Sequence, residues 1–166
     1  MKKAKQYPFY RIWQQRFRLH SEDRSGFPGL PAAQQWRRWI WQALKHDGAR
    51  AEIGLLLLDE AEARAYNRDY RGKDYATNVL SFALDEGETH PALSDGLHGD
   101  LVICPQVVLK EAAEQGKTPE QHYAHLTVHG VLHLMGYDHI EETEAEEMEA
   151  LETELLHQLA YPDPYK

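Results

Sequence analysis

Ile53-Gly54-Leu55-Leu56-Leu57-Leu58 is the longest apolar run in the chain, and it separates a sheet protein from a helical one. Six residues are too few for a buried helix, and no polar side chain alternates within them. That pattern belongs to a strand covered on both faces. Upstream, Trp36, Ile40 and Leu44 recur every four residues with Arg37, Arg38 and Lys45 turned away, so 31–46 reads as an amphipathic helix whose first turn holds Pro31. Ser25-Gly26-Phe27-Pro28-Gly29 punctuates, and before it residues 12–19 alternate in part, as in a half-buried strand. Downstream, 59–69 reads as helix and Tyr70-Arg71-Gly72-Lys73-Asp74 as an exposed turn. Asn78–Leu84 and Leu101–Cys104 read as two more strands, joined by an acidic loop. From Pro105 the chain is helical over about 105–115, 119–135 and 141–159. The pattern predicts an α/β (α+β) fold with a four-stranded sheet and about five helices. The third and fourth strands have no helix between them, so the sheet is expected to be mixed.

A chain of 166 residues, 42% hydrophobic and 27% charged, suits one soluble domain with a sizeable core. A single domain over 1–166 is the expectation, with 1–11 as an N-terminal extension. No run approaches the roughly 20 apolar residues of a membrane span, and no apolar stretch of about 7–15 residues follows the basic start. A lone cysteine, Cys104, cannot form an internal disulfide and reads as core filler. Together these features predict a cytoplasmic protein without a membrane partner. The net charge of −9 divides unevenly: residues 1–50 carry a balance of +8, and 51–166 a balance of −17. A basic end on an acidic protein offers a local field for a polyanion. Seven of the ten histidines lie between His90 and His139.

The chemistry is concentrated in His129-Gly130-Val131-Leu132-His133-Leu134-Met135-Gly136-Tyr137-Asp138-His139. His129 and His133 are four residues apart on a helix, so both rings share one face and can converge on one ion. Ten residues of straight helix would turn His139 away from that face, but Gly136 can end the helix in the left-handed conformation and return the chain. Three imidazoles leave a fourth tetrahedral position open, as in a catalytic zinc site. Zinc proteases carry a glutamate base directly after the first histidine, and here that place is Gly130. A glutamate at 130 would be expected to reach the metal site, and a nucleotide-binding pocket to lack the extended strand edge that holds a peptide. Asp138 shapes the turn, with the option of orienting an imidazole. His122 and His125, on the same helix, read as surface or partly buried histidines. The helix 141–156 holds eight glutamates, read as a solvated acidic face beside an apolar stripe of Met148, Leu151 and Leu155, and not as a second metal site.

On HGVLHLMGYDH at 129–139, Tyr70–Asp74, Thr77-Asn78-Val79-Leu80-Ser81-Phe82, Gly99–Cys104 and the acidic helix Glu141–Leu156, the chain resembles the YbeY family of bacterial rRNA maturation factors. The resemblance implies a mixed four-stranded sheet flanked by helices and a metal-dependent, single-strand-specific endoribonuclease. It implies a role in rRNA processing at the 16S 3′ end and in ribosome quality control. His129, His133 and His139 match the family's zinc ligands, one ion per chain, and Arg71 matches its functionally important arginine. A guanidinium fork suits a phosphodiester whose negative charge grows in the transition state. Basic groups of the N-terminal third are expected to guide the strand. Lys73 reads as a solvated lysine, and Trp36 as an inward-packing residue. The implied partners are single-stranded RNA, the small ribosomal subunit and its assembly factors, with no DNA. Two other readings stay open: a metallopeptidase with a degenerate motif, and a non-catalytic assembly factor with a structural metal.

Overall fold

The computed structural model describes residues 17–45, 50–84 and 96–166. Its elements, in chain order, are β1 (Phe17–Asp23), α1 (Ala33–Leu44), β2 (Ala51–Leu57), α2 (Glu60–Arg71), β3 (Val79–Ala83), β4 (Leu97–Ile103), α3 (Pro105–Glu114), α4 (Pro119–Leu134) and α5 (Glu142–Gln158). The sheet order is β1-β2-β4-β3, with β1, β2 and β4 parallel and β3 antiparallel to β4. Parallel neighbours need a long crossover, which α1 and α2 supply, whereas β3 and β4 pair antiparallel, with no helix between them among the described residues; the expected acidic loop joining them lies over 85–95, outside those residues. The mixed sheet expected from the sequence is therefore present. The 1–11 extension and residues 12–16 of the expected first strand lie outside the described residues.

On β2, Ile53, Leu55 and Leu57 join the main core with side chains of α1, α4 and α5, while Leu56 packs with a smaller cluster that holds Ala63 of α2. The run is apolar throughout because both faces of the strand are covered. Trp36 and Trp39 of α1 are buried in the main core, and Trp39 Nε1 donates to Tyr161 Oη at 3.1 Å. Cys104 is buried too, as expected. No described helix is long and apolar enough to cross a membrane.

Three boundaries differ from the sequence reading. β1 runs on past 19 to Asp23, because His20–Asp23 continues the parallel pairing with Gly54–Leu57 although its residues are polar. β4 begins at Leu97, because Leu97-His98-Gly99-Asp100 pairs in full register with Ala51–Gly54 although its composition is not that of a strand. Tyr70 and Arg71 belong to α2 and not to a turn. The helix runs on until Gly72, whose φ of 70° is the left-handed cap that glycine adopts without strain. Gly72 N then donates to Arg68 O at 3.0 Å and Lys73 N to Asn67 O at 3.3 Å, which satisfies the last carbonyls.

Candidate metal centre

Helix α4 carries the site and is fixed at both ends. Thr118 Oγ1 accepts from Gln121 N at 3.2 Å while Gln121 Oε1 accepts from Thr118 N at 3.1 Å, a reciprocal cap, and Pro119 occupies the first turn. At the other end Gly136 has φ 96°, its N donates to His133 O, and Tyr137 N donates to Leu132 O, both at 3.0 Å. This is the double hydrogen bond of a left-handed helix stop, and it turns the chain back over the last turn of α4. His139 thereby returns to His129 and His133, with ring centroids 5.7 Å and 4.9 Å away.

His129 Nε2 and His133 Nε2 lie 3.1 Å apart, and one nitrogen from each of the three rings lies within 4.8 Å of the others. Two nitrogens bound tetrahedrally to one zinc at about 2.0–2.1 Å stand about 3.3 Å from each other. The donor set thus fits a metal ion. Burial first, then the neighbouring His129 and His139 rings, push the His133 imidazole below its ordinary pKa, which keeps a ring lone pair free for a ligand bond. Among the described residues, the only other group of this kind is His125, His129 and Glu152.

Glu152 overturns part of the reading of the acidic helix. The other seven glutamates of 141–156 are exposed, but Glu152 is 0% exposed. It contacts His129 Nδ1 and the Tyr165 hydroxyl, and accepts from His125 Nε2 at 3.0 Å. Burial alone would raise its pKa, but the hydrogen bonds from His125 and His129 outweigh that and bring it down to about 2. The signal for it was in the sequence: position 152 is four residues after Met148 and four before Leu156, both buried. Asp138 has the more local role, accepting from His139 N at 2.7 Å with its carboxylate 3.9 Å from the His139 ring. His122 is buried and pairs with Glu111 at 2.7 Å, while His125 is partly buried, one of the two placements read for it.

Arg71 lines the same open cleft as the three histidines, a space of about 870 Å³. Its Nη2 donates to Ser81 O at 3.0 Å, and its guanidinium lies 5.8 Å from the Phe82 ring centre. Ser81 Oγ in turn donates to Gly130 O at 2.9 Å, so one strand residue ties the arginine to the helix position next to His129. The turn that follows Arg71 is braced by Asn67 Nδ2 donating to Tyr75 O at 2.8 Å and by a two-pronged Arg64–Asp74 pair at 2.8 and 2.9 Å. Lys73 and Lys117 also bring positive charge to the cleft, and none of the described basic residues before Arg50 lines it.

Gly130 does not face the three-histidine cluster. A Cβ there would stand 2.8 Å from Leu101 Cδ2, 3.2 Å from Ser81 Oγ and 3.3 Å from Val79 Cγ2, so this face of α4 is pressed onto the sheet. A glutamate at 130 would enter the core and not reach toward the metal site. The expected lack of an extended edge also fails: β3 ends the sheet, and Val79, Leu80, Ser81 and Ala83 line the cleft.

A family model described as Endoribonuclease YbeY matches residues 27–160. A protein of Neisseria gonorrhoeae named Endoribonuclease YbeY is 65% identical, covering 100% of this chain and 98% of its own length. One of the same name from Chromobacterium violaceum is 53% identical, covering 99% of this chain and 97% of its own length. A solution structure from Thermotoga maritima superposes with a TM-score of 0.56 at 24% identity, over 90% of this chain and 99% of that one, and bears on the fold alone.

Proposed function

The chain belongs to the YbeY endoribonuclease family, and on that premise we propose that it cuts single-stranded RNA at a zinc site of one ion held by His129, His133 and His139. The convergence of the three imidazoles in the cleft that also holds Arg71 carries this reading. When bound, such an ion supplies Lewis-acid stabilisation of a phosphoryl oxygen and lowers the pKa of water. The chain's own part is to hold three neutral donors in place and to aim Arg71. With its guanidinium fixed at the Ser81 carbonyl, Arg71 keeps its remaining N–H groups for phosphate oxygens, and so meets growing charge without reorganising. Lys73 and Lys117 add positive charge along the path of the backbone. The substrate is ribosomal RNA, including the 3′ end of 16S RNA, met on the small subunit with its assembly factors in the cytoplasm.

The test is incubation of purified protein with labelled single-stranded RNA and with casein, each with and without a chelator, beside a His133→Ala preparation. Chelator-sensitive RNA cuts that the variant does not make support the proposal. Casein digestion would favour a peptidase, for which the β3 edge is the structural argument. Tight subunit binding without turnover would favour an assembly factor.

A further inference from the structure

Glu152 is a carboxylate with no access to solvent, in a helix whose other glutamates all face water. Burying such a group is costly unless each oxygen is matched by donors. Here Oε1 faces His129 Nδ1, while Oε2 receives His125 Nε2 and the Tyr165 hydroxyl. A carboxylate ringed by donors has no proton to give, so the proton between Glu152 and His129 belongs to the imidazole at Nδ1. That leaves Nε2 as the lone-pair nitrogen of His129, and Nε2 is the atom 3.1 Å from His133 Nε2. The ring is therefore fixed in tautomer and in rotation by a contact on the side away from the ligand cluster.

We propose that Glu152 is the positioning residue of the metal site, holding His129 with Nδ1 protonated and Nε2 turned toward the ion. The proposal rests on the three-histidine reading above. Carboxylates that orient a ligand histidine commonly contribute about 10–100-fold in metal affinity. His125 and Tyr165 hold the carboxylate in turn.

Zinc affinity of the metal-free protein, measured by competition with a chromophoric chelator well below the melting temperature, tests this. A glutamine at 152 carries no charge and one acceptor oxygen where the carboxylate has two, so it holds the His129 Nδ1–H more weakly than the carboxylate does. Glu152→Gln is accordingly expected to bind zinc about 10–100-fold more weakly. Tyr165→Phe, which removes a donor from Glu152 but leaves His129 its partner, is expected to stay within about threefold of wild type, well short of that loss. Near-normal affinity of Glu152→Gln, or an equal loss in both variants, would overturn the assignment. His133→Ala separates this from the underlying site: if it retains full affinity, the three-histidine site itself is wrong. Should Glu152→Gln not fold, long-range 1H–15N correlation spectra of zinc-loaded wild type decide the matter. A His129 ring protonated at Nδ1 and metallated at Nε2 is expected, and the opposite tautomer would refute the proposal.

Discussion

Gly130→Ala should loosen the protein even though helix propensity argues the reverse. In an open helix, alanine is better than glycine by about 1 kcal/mol. At this position the new methyl would lie 2.8 Å from Leu101 Cδ2, and Leu101 is 0% exposed. Carbon atoms settle at about 3.5–4.0 Å, so either the Leu101 methyl gives way by roughly 1 Å inside a packed core or α4 lifts from the sheet. Ser81 Oγ at 3.2 Å and Val79 Cγ2 at 3.3 Å close off sideways relief. Overpacking of this kind costs about 1–3 kcal/mol, which exceeds the propensity gain. A net loss of about 1 kcal/mol lowers Tm by about 2–4 °C in a chain of this length. The same crowding falls on the Ser81–Gly130 hydrogen bond that ties Arg71's strand contact to His129's helix, so RNA cleavage should fall as well. Gly130→Glu drives a charged side chain into the same gap and should abolish folding, and with it the metal site, without creating a peptidase. Calorimetry of metal-free wild type and Gly130→Ala measures the sign. A higher Tm for the alanine variant would refute the close-packing argument.

Arg71→Ala should keep metal content and Tm nearly unchanged, since the residue is exposed, while cleavage falls about 10²–10³-fold; wild-type cleavage by the variant would remove Arg71 from the reaction. Zinc at about 100 times its Kd should stabilise the metal-free protein by about 2.7 kcal/mol and raise Tm by several degrees, and His139→Ala should lose most of that rise in a thermal-shift titration. Glu152 titrates in the folded protein near 2, below its ordinary 4.5, so its stabilisation is complete above about pH 4.5 and is lost as pH falls toward 2. Its size is on the order of 3 kcal/mol. Urea unfolding of metal-free wild type and Glu152→Gln should show the wild type losing most of that advantage between about pH 5 and pH 2.5; a constant difference would contradict the depressed pKa.

The elements with one strong local pattern were readable without coordinates. The apolar run of β2, the four-residue stripe of α1 and the Gly136 stop after α4 each state their structure in neighbouring residues. The meeting of the three histidines followed from their spacing plus that stop. What depends on distant packing was not readable in the same way. The start of β4 owes its strand form to pairing with β2, which overrides a sequence of glycine and polar residues. Arg71 sits in a helix because the cap falls at Gly72, one residue beyond it. The orientation of Gly130 depends on which face of α4 meets the sheet, and periodicity alone left that face open. Glu152 was hidden among seven solvated glutamates, and only its step from Met148 and to Leu156 marked it.

The central claim is that one metal ion on three histidines makes this chain a ribonuclease. It is tested most directly by adding zinc in steps to the metal-free protein while following cleavage of a labelled single-stranded RNA. Cleavage should rise in proportion to added metal and level off at one equivalent per chain. Full cleavage before any metal is added, or a plateau at two equivalents, would contradict the account.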